Sequence, residues 1–278
     1  MKVLVTGDRG KVGVAVADHL RGCGHAVAGF DLADGVDLRD LAAVKQAAVG
    51  CAAIVHLGGL AHDSARTPAE IMAVNVLGTW HVLLAAENVG VSRVIHFSSL
   101  QALGIAEGER LPDYFPINDA HPRRAMRPYG LSKRLSEDLC EAFTARTGIA
   151  TLSLRPVAVW QPETYAHVAA QRRANPKSES QPFWEYGAFV DVRDVAAGVS
   201  RAVEVRLSGH HRALLCATDI AGSAPSLELA QRLTPSVPIR SPERYRADPT
   251  RALVDCSAAE TLLDWHPRHR WSSQQCGS

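Results

Sequence analysis

The sequence predicts an α/β protein, a doubly wound parallel sheet between helices followed by a small carboxyl-terminal lobe. Short apolar runs at residues 3–5, 26–30 and 52–56 alternate with stretches of helical period at 12–20 and 41–49, which is the sequence form of repeated βαβ units. Such units cross over with one hand and cover both faces of a sheet, so the strands are parallel and buried. With 278 residues, 46% of them apolar, the chain buries a core without disulfide or metal staples.

Later elements follow the same logic. Thr67-Pro68-Ala69-Glu70 opens a helix with a capping box and a proline at its first position, and Gly90 closes that helix. Residues 94–97 form a buried strand ending in Ser98-Ser99, and the polar, proline-bearing stretch 107–127 is a long loop of the kind that borders active sites. Pro128 starts a helix with an apolar stripe of Leu131, Leu135, Leu139 and Phe143, ended by Gly148 before a strand at 151–154. After Arg155-Pro156 the pattern breaks as far as Phe189. Asp191 then caps a helix bearing Val195, Val199 and Val203, and residues 213–217 supply one more sheet strand. Residues 1–158 are thus read as the sheet domain and 159–278 mainly as the second lobe, with 190–217 returning to the sheet.

Composition narrows the function. Thirty Lys+Arg against 29 Asp+Glu leave a net charge of +1, so no field attracts nucleic acid or an anionic membrane. The longest uncharged stretch, 46–62, is broken by Gly50, His56, Gly58 and Gly59 and is no membrane span. The amino terminus has too few apolar residues before its first turn to form a secretory signal. Cys23, Cys51, Cys140, Cys216, Cys256 and Cys276 lack paired spacing, as expected of reduced thiols in a cytoplasmic protein. No metal site is expected, and His210-His211 and His266-x-x-His269, each without a third ligand, read as solvated loops.

Chemistry concentrates at two places. Thr6-Gly7-Asp8-Arg9-Gly10-Lys11-Val12-Gly13 directly follows the first strand and opens the first helix. Missing side chains let a pyrophosphate touch backbone N–H groups, and the helix dipole favours its charge. A plain strand-to-helix turn would also use glycine, but this context favours the dinucleotide-binding turn of a Rossmann-type fold. Asp31, eighteen residues past Gly13, is where a carboxylate accepts from an adenosine ribose and repels a 2′-phosphate. NAD is therefore favoured, while Arg9 and Lys11 beside the turn leave NADP open.

At the second place, Tyr129 and Lys133 stand four apart on one helix and share a face. An ammonium beside a phenol favours phenolate, which makes proton exchange with a substrate hydroxyl feasible near neutrality. Ser99, at the carboxyl end of its strand where open parallel sheets bind ligands, can hydrogen-bond the same substrate oxygen. Arg123, Arg124 and Arg127 either offer a guanidinium to an anionic substrate or form a solvated loop. Trp160 and Trp184 read as core or rim of the smaller lobe.

Together these features resemble the short-chain dehydrogenase/reductase superfamily, in its extended branch of NAD-dependent epimerases, dehydratases and dehydrogenases. The resemblance runs over residues 1–205 and rests on the glycine turn, Asp37-Leu38, His56-Leu57-Gly58-Gly59, Asn75-Val76-x-Gly78-Thr79, Phe97-Ser98-Ser99, Tyr129-Gly-Leu-Ser-Lys133, Arg155-Pro156 and Phe189-Val190-Asp191-Val192. It implies that Asp37 and Leu38 flank the adenine and that Leu57, Gly58 and Gly59 pass under the cofactor. It further implies that Asn75 belongs to the catalytic helix neighbourhood, that Lys133 holds the nicotinamide ribose, and that Ser99, Tyr129 and Lys133 are catalytic with Tyr129 as acid/base. A homodimer through the helices around 68–89 and 128–147 is implied as well.

Departures from the family matter. Where it commonly writes Ser-x-x-x-Tyr-Gly, this chain has Ser99-Leu100-Gln101-Ala102-Leu103-Gly104, so an aromatic wall is missing. Leu100-Gln101 also cannot supply the Asp-Glu pair with which nucleotide-sugar dehydratases lose water. The short carboxyl lobe is similar to that of uronate dehydrogenases, which have Asn-His at that position, so only the lobe's size carries over. The expectation is an NAD(P)-dependent oxidoreductase moving hydride to or from a carbinol carbon of a small sugar-like or oxygenated substrate. Its alternatives are an NAD-dependent sugar or nucleotide-sugar epimerase and a non-catalytic dinucleotide-sensing module.

Overall fold

The computed structural model describes residues 1–105, 108–175 and 186–272; Trp184 and Cys276 lie outside them. Its strands are β1 (Lys2–Thr6), β2 (Ala26–Phe30), β3 (Ala53–His56), β4 (Arg93–Phe97), β5 (Ala150–Pro156), β6 (Val159–Trp160), β7 (Val190–Asp191) and β8 (His210–Leu215). Six of them build one sheet in the order β2-β1-β3-β4-β5-β8, with every neighbouring pair parallel. β6 and β7 pair separately. The helices are α1 (Lys11–Gly22), α2 (Leu41–Ala48), α3 (Pro68–Met72), α4 (Gly78–Val89), α5 (Pro128–Thr147), α6 (Pro162–Ala174), α7 (Val192–Glu204) and three shorter ones, α8 (Ser226–Leu233), α9 (Glu243–Ala247) and α10 (Ser257–Leu263).

Strand periodicity sorts the core into two layers. In β1, Val3 and Val5 face one cluster, with Val16 and Leu20 of α1 and Val195 and Val199 of α7. Leu4 faces the other, with Val44 of α2, Val82 and Leu83 of α4 and Phe143 of α5. Helices thus cover both sides, so the strands are buried on both faces, and the polar residues they carry, such as His56, His96, Thr151 and Arg155, are buried too. A third cluster, Trp160, Tyr165, Phe189 and Trp271, lies beyond the sheet.

The Thr67/Glu70 box on α3 and Asp191 on α7 cap their helices as expected, and Asp40 caps α2. One π-helical turn, Ala73–Leu77, joins α3 to α4. By length and composition the run Pro68–Val89 is apolar enough to cross a membrane; here Val82, Leu83, Ala85 and Ala86 pack onto the sheet.

Two expectations are corrected. The last strand is His210–Leu215 rather than 213–217, because its polar first half finds partners that sequence periodicity cannot see. His210 meets Thr151 Oγ1 at 2.7 Å, and Arg212 donates to Glu141 at 2.6 Å. Nor does the first histidine pair lie in a solvated loop, since His210 and His211 open β8; His266 and His269 do lie in an irregular segment, with His266 exposed and His269 Nδ1 3.0 Å from Asp194 Oδ1.

Candidate active site

From β1 the chain turns to β2 on one side, while β3 lies on the other. The loops leaving β1 and β3 therefore diverge, and a crevice opens at their carboxyl ends. A cleft of about 460 Å³ occupies it, within the range of small-molecule sites.

The glycine turn forms the cleft's inner edge. Gly7 has φ +73°, and a side chain there would meet Gly58 N at 2.7 Å; one on Gly13 would meet Gly7 O at 1.9 Å. No side chain caps the first turn of α1, whose cap is Gly10, which leaves backbone donors for an anion. Asp8, buried beneath, accepts from Phe30 N at 2.9 Å and clamps the turn to β2. Asp31 Oδ1 accepts from Ala33 N and Oδ2 from Arg9 N.

The floor is set by a buried polar chain. Thr79 Oγ1 donates to Asn75 O at 2.5 Å, so it accepts from His56 Nε2 at 3.1 Å. His56 Nδ1 then accepts from Thr6 Oγ1, which in turn accepts from Gly58 N at 3.1 Å. This network assigns His56 the neutral Nε2–H tautomer, and burial, aided by Lys133, holds its pKa down at about 3. From the π turn, Asn75 accepts from Leu60 N and donates to Leu60 O and to Ser132 Oγ of α5.

At the far end stand Tyr129 and Lys133, 8% and 6% exposed, with the ammonium 5.8 Å from the phenol ring centre. Lys133 Nζ donates to Phe97 O at 2.7 Å. Burial pushes its pKa down to about 8, against the pull of Glu137 one turn further along α5. Ser99 is buried, and its Oγ accepts from Gln101 N. The first turn of α5 lies directly on the Ser99–Gln101 turn, since a side chain at Gly130 would meet Gln101 O at 2.6 Å. Two contiguous segments thereby bring the serine, the phenol and the amine to one region.

Gly7, Gly10, Lys11, Val12, Gly13, Asp31, Asp37, Leu38, Leu57, Gly58, Gly59, Tyr129 and Lys133 all line the cleft. Arg9, Asn75 and Ser99 stand outside its lining: Arg9 is turned to Asp34, Asn75 is buried behind Leu60, and Ser99 sits beneath Gln101. The basic cluster is not held open for an anion, because Arg123 is paired with Asp138, Arg124 with Asp113 and Arg127 with Asp63.

Sequence reasoning missed several groups that hold the site. Asp63 accepts from Tyr129 N at 2.7 Å and caps α5 from a distant loop, with no local signal. Glu137 accepts from Ser98 Oγ at 2.6 Å; its four-residue spacing from Lys133 was the available clue. The donors and the shape of the cleft fit a dinucleotide, with the uncapped glycine turn, the Asp31 carboxylate and the Tyr129/Lys133 pair all on its lining.

A uronate dehydrogenase from Pseudomonas putida is 34% identical over 168 residues, which cover 55% of this chain and 59% of that one. The chain therefore spans less than two thirds of that relative's length. A UDP-glucose 4-epimerase from Rhizobium meliloti is 26% identical over 246 residues, 78% of this chain and 73% of its own. The crystal structure of a short-chain dehydrogenase/reductase superfamily protein from Agrobacterium tumefaciens with bound NAD aligns with a TM-score of 0.73 and 23% identity, covering 98% of this chain and 94% of that one. At that identity the likeness is one of fold. The model of the NAD dependent epimerase/dehydratase family matches residues 3–215, and the chain belongs to that family.

Proposed function

We propose that the protein is an NAD-dependent oxidoreductase acting on a secondary hydroxyl of a small sugar-like or otherwise oxygenated substrate, with Ser99, Tyr129 and Lys133 as its catalytic group. The observation that carries this reading is the buried Tyr129/Lys133 pair opening onto the cleft that the glycine turn lines. Gly7, Gly10, Lys11, Val12 and Gly13 would hold the pyrophosphate, and Asp31 the adenosine ribose. Asp37 and Leu38 would flank the adenine, Leu57 to Gly59 would underlie the dinucleotide, and Tyr129 and Lys133 would meet the nicotinamide ribose. When bound, the cofactor supplies a hydride acceptor or donor.

The chain's own residues manage the proton and the oxygen. Tyr129 takes the hydroxyl proton in the oxidative direction and returns it in the reductive one. Ser99 orients the substrate oxygen. Lys133, protonated below its lowered pKa, places a positive charge beside the phenol and stabilises its ionised form. Asn75 fixes the loop 57–61 against α5 and so sets where these groups stand relative to the dinucleotide.

A second reading, an epimerase that returns the hydride to the opposite face of the ketone, is favoured by the longer alignment with the UDP-glucose 4-epimerase. Incubation with NAD+ and a panel of sugar acids, free sugars and nucleotide sugars separates the two. Accumulation of reduced nicotinamide supports the dehydrogenase, and turnover without it supports the epimerase. Tyr129→Phe is expected to lower turnover at least about 100-fold while NAD+ still binds. No turnover across the panel, with cofactor binding as the sole property, would instead favour a sensing module. We further propose a homodimer through the apolar face of Met72, Val76, Leu77, Trp80 and Leu139.

A further inference from the structure

The adenosine end of the cleft contains a feature that the cofactor reading leaves unused. Arg9 projects from the glycine turn at the rim, where an arginine commonly receives the 2′-phosphate of NADP. Here both ends of the residue are taken by one short turn of the chain. Asp31 opens the 3₁₀ turn Leu32–Asp34, and Gly35, at φ +80°, closes it. Asp31 Oδ2 accepts from the backbone N–H of Arg9 at 3.2 Å. Asp34 receives the guanidinium in two parallel bonds, Nε to Oδ2 at 3.0 Å and Nη2 to Oδ1 at 3.1 Å.

We propose that Asp34 is a cofactor-selectivity residue: its bidentate hold on Arg9 withholds from the adenosine end of the cleft the cation that a 2′-phosphate requires. The inference rests on the dinucleotide reading of the cleft and goes beyond it by assigning a role to a residue outside the lining. A fork-shaped guanidinium matches carboxylate and phosphate alike, so Asp34 competes with a phosphate for the same five donors. Asp31, lining the cleft beside it, adds direct repulsion. The other arginine at this end is held in the same manner, with Arg39 Nη2 2.6 Å and Nε 3.1 Å from Asp37 Oδ2. Arg9 and Arg39 are thus each committed to a carboxylate, the one to Asp34 across the chain and the other to Asp37 two residues before it.

The pair is more than half exposed on the arginine side and nearly half on the aspartate side, at 59% and 45%, so its strength is that of a solvent-screened ion pair. The effect of breaking it is correspondingly moderate, about two- to fivefold in NADP+ affinity. A double-mutant cycle separates the latch from a general loss of negative charge.

The experiment measures NAD+ and NADP+ dissociation constants by titration calorimetry on the full chain and on Asp34→Ala, Arg9→Met and the double variant, with circular dichroism as a check on folding and Asp34→Asn as a milder second variant. Asp34→Ala should tighten NADP+ by that factor and leave NAD+ within about twofold. The same change made on Arg9→Met should tighten NADP+ little or not at all. Equal tightening with and without Arg9 overturns the proposal, as does an unchanged NADP+/NAD+ ratio in both Asp34 variants. Binding of neither dinucleotide to the parent protein overturns the cofactor reading and the latch with it, whereas NAD+ binding with an unchanged ratio overturns the latch alone.

Discussion

Glu137 and Arg155 face each other with no solvent exposure on either side chain, Nη2 to Oε2 at 2.7 Å and Nε to Oε1 at 2.8 Å. The pair ties α5, which carries Tyr129 and Lys133, to the end of β5, while Ser98 Oγ adds the end of β4. Arg155 also reaches Asp119, which accepts from Leu214 N of β8. One buried carboxylate therefore joins the helix bearing the phenol and amine to the strand end bearing Ser99. Burial alone would raise the Glu137 pKa; Arg155, with Ser98, outweighs it and holds the carboxyl below its ordinary range.

Removing one partner leaves the other charge buried. Glu137→Leu is expected to destabilise the protein by about 3–5 kcal/mol in urea denaturation, and the double variant Glu137→Leu/Arg155→Met to recover part of that loss. A single variant within about 1 kcal/mol of the parent would mean that water reaches the pair.

Two glycines of α1 give opposite expectations. At Gly13 an added Cβ meets Gly7 O at 1.9 Å, whereas at Gly22 nothing lies within 4 Å. Gly13→Ala must push the glycine turn away from α1, so it should weaken NAD+ binding by at least about tenfold and destabilise the fold by about 1–3 kcal/mol. Gly22→Ala, which only replaces a poor helix former, should raise stability by up to about 1 kcal/mol with NAD+ binding unchanged. Calorimetry and thermal melts read both.

Leu77, 43% exposed on the apolar face of the α3–α4 run, tests the proposed dimer. Leu77→Glu adds charge where two copies would meet, so sedimentation should show a monomer while folding stability shifts by less than about 0.5 kcal/mol. A parent protein that sediments as a monomer removes the dimer outright.

The fold was legible because its signals are local. Short apolar runs, the Thr67/Glu70 box, Pro128 and the glycine turn each fix a backbone state without help from distant residues. The same holds for Tyr129 and Lys133, where helical spacing alone sets a shared face. Groups that sequence reading missed act across the chain: Asp63 caps α5 from 66 residues away, and the His56 tautomer depends on Thr6 and Thr79. The polar opening of β8 hid its start for the same reason, since His210 looks solvated until Thr151 is placed beside it. Arg9 shows the limit from the other side, because its position suggested a phosphate ligand and only the turn at Asp34 reveals its partner.

Lys133 couples this architecture to pH. Its ammonium is buried, and burial lowers its pKa from the ordinary 10.5 to about 8 in the folded protein. Below pH 8 the residue is charged in both folded and unfolded states, and the folded state bears the full cost of burying that charge. Between pH 8 and 10.5 the unfolded chain still binds a proton that the folded protein has released. Stability from this residue therefore rises with pH across that window, by up to about 1.4 kcal/mol per pH unit, and levels off above it. Lys133→Met removes the titration, so the difference in unfolding free energy between parent and variant should move in the parent's favour from pH 8 to 10.5 and stay flat between pH 6 and 7.5. Urea denaturation at half-unit intervals measures it without any substrate. A flat difference through the upper window would mean that the ammonium is solvated, and a solvated ammonium beside Tyr129 would stabilise phenolate far less than the buried one invoked for catalysis.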